Sequence, residues 1–397
     1  MAAAGAVAVS ATGCGPDVPH PPAPDVVPHG YVEGAEETAE AQPRLVVADR
    51  ETGTVRVVDL ITERVSDVGR VSDVRGIHGD GRFAYLAEGT GTVRVVDGGA
   101  WTVDHVDHVH YYRAAIREVG TVPGGRPVSV HSDSALTAVS GADGTVHLLD
   151  RARLEAGTVA RTGTISLPPG GGGAVPWREH LLVPAAPPGQ PAGTVEVRDR
   201  RGHPVSTVEP ACPSPRGTAV TRRGVVFGCA DGALLVTERD GAFHGEKIPY
   251  PRPVPEAERA VEFAHRPAGT TLAAKAGERG VWSLDLTRGT WTFLETGPAV
   301  AVNAVGEGAP LLALTADGVL HAYDTATGER TAHRPVLAAP VDESDPALPV
   351  IHVDPARAYV NDVAAGIIHE IDYTDRLRQA RTFHVGGRAS HMVETGR

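Results

Sequence analysis

The sequence predicts an all-β protein: an eight-bladed β-propeller closed by a C-terminal strand that joins the N-terminal blade. Three observations lead there. A strand–turn–strand unit recurs eight times along the chain. Its spacing is the length of a four-stranded blade. The chain also ends on an orphan strand, where the first unit lacks an inner one.

The clearest copy is Leu45-Val46-Val47-Ala48-Asp49 followed by Gly53-Thr54-Val55-Arg56-Val57-Val58-Asp59. It recurs as Phe83–Ala87 with Gly91–Asp97, and as Leu136–Val139 with Gly144–Asp150. Looser copies centre on Gly193–Asp199, Gly232–Val236, Gly280–Asp285, Gly318–Asp324 and Gly366–Asp372. A period of roughly 40–50 residues is that of a propeller blade. A drift in parsing the looser copies would give seven blades. The strand residues are β-branched and alternate or run continuously apolar, as in sheets stacked face to face. No segment carries a sustained helical period with caps. Leu45 opens a second-position strand, so the first blade lacks its innermost strand. His391-Met392-Val393-Glu394 follows the last outer strand and fits that vacancy, which would remove an open sheet edge.

Residues 1–14 read as a lipoprotein-type signal segment, 15–43 as a Pro-rich tether with an acidic lead-in, and 44–397 as the propeller. Met1–Gly13 is apolar but too short to span a bilayer. Ala11-Thr12-Gly13-Cys14 resembles a lipobox, with Cys14 as the lipidated residue. No basic residue precedes the apolar run, and Ala11 stands where Leu or Val is commoner. Pro16, Pro19, Pro21, Pro22, Pro24 and Pro28 make an extended tether. The expected location is extracytoplasmic, anchored to the membrane through Cys14. Of the 3 Cys, Cys212 and Cys229 then remain, and an exported chain favours their pairing as a disulfide between neighbouring units.

The net charge of −12 argues against nucleic acid, which needs a basic footprint. A monomer is expected. Histidine is the outlier in composition, with 18 residues. Asp104-His105-Val106-Asp107-His108-Val109-His110-Tyr111-Tyr112 concentrates three imidazoles and two carboxylates. With 2 Met and 3 Cys, a metal site here uses nitrogen and oxygen, which suits Zn2+. The stretch falls between the third and fourth strands of the second blade. It therefore emerges on the face where His78 and His131 end their inner strands. The candidate metal residues are His105, His108, His110, His131, Asp104 and Asp107. His108 and His110 share one side if the stretch is extended. His105 needs a turn to join them. Asp104 and Asp107 either ligate or accept the second imidazole N–H.

His78, His265 and His352 occupy equivalent turn positions, where a hydrogen-bonded turn residue is the commoner role. The part played by His391 stays open. His20, His29, His203, His244, His321 and His333 are expected at the surface. Glu33, Glu36, Glu37 and Glu40 read as a solvated acidic segment.

The Asp104–Tyr112 stretch, followed by Val128-Ser129-Val130-His131-Ser132, resembles the periplasmic zinc chaperone AztD family. So does His29-Gly30-Tyr31 leading to Leu45–Asp49. The likeness runs from about His29 to the C-terminus. It implies an eight-bladed propeller that binds zinc outside the cytoplasm. It also implies delivery of zinc to the solute-binding protein of a zinc ABC transporter. Family members can carry a mobile His-rich N-terminal segment; here that region is proline-rich, with only His20 and His29. The lipid anchor implies tethering to the cell surface.

The mechanism expected is ligand exchange without bond-breaking. Other classes fit less well. Quinone-dependent propeller dehydrogenases carry repeated Trp motifs that 4 Trp do not supply. A lactonase-like metallohydrolase would use a metal-bound water in an open coordination position. A protein-binding scaffold with a structural metal would need no open position.

Overall fold

The computed structural model describes residues 32–104, 108–124, 127–168, 172–187 and 189–397, the side chain of Val128 excepted. Cys14, His20 and His29 lie outside the described residues, as do His105 and Asp107 of the candidate cluster. Among the described residues the fold is nearly all β. Antiparallel sheets follow one another along the chain, seven of them four-stranded and two three-stranded. The architecture is a β-propeller.

The repeated strand unit has a local cause at each end. Strands end near Asp because the carboxylate accepts the backbone N–H groups two and three residues on, fixing the turn. Asp80 takes Arg82 N at 3.1 Å and Phe83 N at 2.8 Å, and Asp133 takes Ala135 N and Leu136 N at 2.8 Å each. Asp59, Asp285 and Asp324 do the same at other turns. The Gly of the Gly-Thr-Val turn has its own constraint. Gly53 has φ of 71°, and a Cβ there would meet Val71 O at 2.3 Å.

The apolar runs are continuous because both faces of the inner strands are buried. Leu45, Val47, Val58 and Leu60 pack on Tyr359, Ile368 and Phe383 of the last sheet. Their alternating neighbours Val46, Ala48, Val55 and Val57 pack on Ala84, Leu86 and Val96 of the second sheet. Each pair of consecutive sheets shares such a cluster. The last sheet shares one with the first.

The first sheet is completed from the far end of the chain. His391–Thr395 runs antiparallel to Arg44–Ala48, with Arg44 opposite Thr395 and Ala48 opposite His391. The leading strands of the sheets converge on an axis. His131, on the third sheet, reaches Thr218 on the fifth, with Nε2 to Oγ1 at 2.7 Å. That contact skips the fourth sheet.

Three features depart from the sequence reading. A one-turn helix, Arg151–Glu155, is capped by Asp150, whose side chain accepts from Arg153 N; it is too short to leave a helical period. His321 is buried rather than at the surface, with Nε2 at 3.2 Å from Thr315 Oγ1. The acidic lead-in is more than a tether, because Glu36–Thr38 forms a strand. No helix among the described residues is long and apolar enough to cross a membrane.

Cys212 and Cys229 form a disulfide with Cα atoms 5.1 Å apart. It ties the link before the fifth sheet to that sheet's second strand, inside the cluster shared with the fourth sheet.

Two outcomes follow for stability. Deleting residues 388–397 strips the Arg44–Ala48 edge of its partner and removes buried Met392 and Val393, a loss of roughly 3–6 kcal/mol of apolar burial. Thermal unfolding of the truncated chain should shift well below that of the full chain, and matching transitions would count against it. Replacing both cysteines by serine, across a separation of 17 residues, should cost about 3 kcal/mol, read by urea denaturation.

Candidate functional site

The second sheet consists of Val74–Gly79, Phe83–Glu88, Thr92–Asp97 and Arg117–Pro123. Between its third and fourth strands the chain leaves to build a hairpin, Ala100–Asp104 and Val109–Arg113. Gly99 makes the departure possible. Its φ is 69°, and a Cβ would meet Ala114 O at 2.6 Å. The hairpin gains a third strand when Glu36–Thr38 pairs antiparallel with Val109–Arg113.

Register sorts the hairpin's side chains, since directly opposed residues share a face. His110 opposes Val103, and Tyr112 opposes both Trp101 and Glu37. Asp104 opposes Val109, which puts it on the other face from His110.

One face carries a column of rings. His108 and His110 meet edge to face, with centroids 4.9 Å apart. His110 lies 6.2 Å from Tyr112, and Tyr112 stacks on Trp101 at 5.5 Å. Arg82 Cζ sits 3.6 Å over the Trp101 ring. Arg82 in turn pairs with Asp97 at 2.9 Å, both buried. Burial falls along the column, from the Arg82–Asp97 pair to exposed His108. The base is therefore rigid and the histidine end open to solvent.

Glu37 enters at the histidine end. Its Oε1 accepts from His110 Nδ1 at 2.6 Å. Sequence reading placed Glu37 in a solvated segment. The residue is exposed, as that reading has it, and it reaches His110 from 73 positions away in the chain. Only the pairing of the Glu36–Thr38 strand shows the contact.

His78, His131 and His352 lie on the leading strands of their sheets, and His265 bridges to Ala304 on another leading strand. His78 Nε2 is 3.1 Å from Pro127 O, and His352 Nε2 is 3.0 Å from Met392 O. These are the hydrogen-bonded roles that their turn positions suggest. His131, besides its contact with Thr218, is held down to about 4 by burial and then by His78. Burial, and then the charge of Arg397, hold His265 and His352 down to about 4 as well. These rings are only part-covered from solvent, yet protein surrounds them at the axis. Nearby, burial pushes Glu394 up to about 7, with Arg397 opposing and Asp354 adding.

Among the described residues, no three His, Cys, Asp or Glu side chains converge as a metal site. The structure brings His108 and His110 together. It puts Asp104 on the opposite face and His131 on the leading strand of the next sheet. The donors present are imidazole and carboxylate, the set zinc takes.

The fold and the hairpin define a β-propeller with a ligand-rich insertion on one sheet. Comparison with solved structures narrows the class. Two structures of AztD from Citrobacter koseri, one described as apo, superpose with TM-scores of 0.74 and 0.76. Each is 20% identical and is matched over 90% of this chain and 98% of its own. The chain thus resembles AztD in fold over nearly its whole length. The dihydro-heme d1 dehydrogenase NirN is further off, with a TM-score of 0.55, 14% identity, and coverage of 90% of this chain and 76% of NirN. A computationally designed protein, Ika8, has a TM-score of 0.52, 15% identity, and coverage of 88% and 95%. No family model matches the chain, and no curated protein matches its sequence.

The axial histidines set a pH dependence. His265 and His352 bind fewer protons folded than unfolded between about pH 4 and their ordinary 6.5. Stability therefore falls as pH drops through that window. Glu394 acts in the opposite sense up to about pH 7, one group against three, because His131 is held down to about 4 as well. The melting temperature should fall from pH 6.5 to pH 4, and His265→Gln/His352→Gln should flatten the slope. A flat wild-type profile would contradict this.

Proposed function

We propose that this chain is a closed, eight-bladed propeller that binds zinc outside the cytoplasm and passes it on without bond-breaking chemistry. The observation that carries the reading is the His108–His110 pair, set side by side at the open end of the ring column. The fold shared with AztD supports it. In this reading His108 and His110 take zinc first. His105 and Asp107, between the two hairpin strands in sequence, supply further donors. His131, held on the next sheet, is the fixed imidazole that the loaded hairpin closes on. Asp104, on the opposite face, orients the tip rather than ligating.

The recipient would be the solute-binding protein of a zinc ABC transporter. Transfer is ligand exchange: an imidazole on the hairpin lets go as a ligand of the recipient takes its place. A projecting hairpin suits this because it moves without unfolding a blade. Lipidation at Cys14 would keep the propeller at the membrane, and the Pro-rich segment would set its reach.

Zinc competes with protons for imidazole, so affinity falls on acidification. A His108→Ala/His110→Ala variant should lose tight zinc binding while its thermal unfolding stays unchanged. His131→Ala should weaken binding less. Metal analysis showing unchanged stoichiometry in the double variant would sink the assignment. Cleavage of lactones or esters by the zinc-loaded protein, abolished in the same variant, would replace chaperone by hydrolase.

A further inference from the structure

We infer that Glu37 is a positioning residue for the zinc site, carried there by the Glu36–Thr38 strand, so that docking of the N-terminal segment sets zinc affinity. This rests on the reading that His110 is a zinc ligand.

An imidazole has two nitrogens, and the partner of one decides what the other can do. A carboxylate only accepts, so the 2.6 Å contact places the proton of His110 on Nδ1. Nε2 is then the nitrogen with the lone pair that a metal needs. A carboxylate on the far nitrogen also makes the imidazole a stronger donor and fixes the ring plane. Glu37 fills this role from outside the cluster that the sequence displays.

Its place there depends on three residues of strand. Glu36 holds the strand to the hairpin through Arg113, with Nε to Oε2 at 2.9 Å and Nη2 to Oε1 at 3.0 Å. Thr38 Oγ1 donates to Tyr111 O at 3.3 Å. Arg113 is an odd number of residues from His110 along the strand, so it lies on the opposite face. It acts on the site only through the docking of the strand. A three-residue, largely exposed strand held by surface ion pairs is marginally docked. Affinity at His110 therefore answers to a segment that is continuous with the tether.

The test uses the full chain and zinc alone, with affinity read by competition against a chromogenic chelator. Glu37→Ala should weaken zinc binding by about tenfold or more. Glu37→Gln keeps an acceptor at the same place and should recover part of that loss. Arg113→Ala should weaken binding by less and add nothing on top of Glu37→Ala, because both remove one effect. Full additivity would overturn the coupling to strand docking. A second readout needs no metal. Long-range proton–nitrogen spectra of the apo protein should show the His110 proton on Nδ1 in wild type and redistributed in Glu37→Ala. An unchanged tautomer overturns the positioning role. If His110→Ala leaves affinity untouched, the site reading itself fails. If His110→Ala weakens binding but Glu37→Ala does not, only this inference fails.

Discussion

The antiparallel pairing of His391–Thr395 with Arg44–Ala48 is the contact on which the rest of the structure depends. It gives the first sheet its leading strand and lets the last sheet pack on the first. It also delivers the final residues to the axis. Gly396 N donates to Gly81 O at 2.8 Å, joining the closing strand to the second sheet. Gly396 O accepts from Thr102 Oγ1 at 3.3 Å, so the same residue touches the hairpin. Arg397 supplies the charge felt by His265 and His352. One chain end thus completes a sheet, seats the insertion and shapes the field at the axis.

The hairpin grades from rigid to open. At its base, the buried Arg82–Asp97 pair is joined by two hydrogen bonds and Asp97 also accepts from Gly99 N, while Arg82 Nη1 has no hydrogen-bond partner. Trp101 and Tyr112 stack outward from Arg82, which adds about 0.5–2 kcal/mol of cation–π attraction at a desolvated ring. His110 and His108 stand beyond, where no core holds them. The proposed exchange of zinc would draw on this order. The ring planes are fixed from below, while the donors stay within reach of solvent and of another protein.

The axial histidines are a different population. His78 and His352 sit against backbone carbonyls and His131 against a hydroxyl, while His265 Nε2 is buried with no hydrogen-bond partner; burial keeps His131, His265 and His352 neutral over most of the physiological range. His78 and His352 serve there as hydrogen-bonding groups, and His131 is the one axial imidazole to which the proposed function gives a second role at the hairpin. On the hairpin, His110 meets a carboxylate and His108 is exposed beside it instead. Two sets of the same residue type are separated by one question, whether the strand beneath them leads a sheet or leaves it.

Much of this was legible in the residues themselves. The repeat spacing, the Asp that fixes many of the turns and the Gly of the Gly-Thr-Val turn are local rules, and local rules show in sequence. The orphan His391–Glu394 run matched a vacancy in the first copy because strand count is arithmetic. The ligand-rich stretch announced itself by composition. What the residues could not show was set by register and by distance along the chain. A one-residue step in pairing puts Asp104 on the opposite face from His110. The convergence of leading strands gives His131 to Thr218. Strand addition brings Glu37 to His110. Sequence alone determined the sheet repeat and where the donors are written, because both follow from near-neighbour chemistry. Tertiary structure decided which donors share a face and which carboxylate holds them, because pairing between distant strands has no local signature.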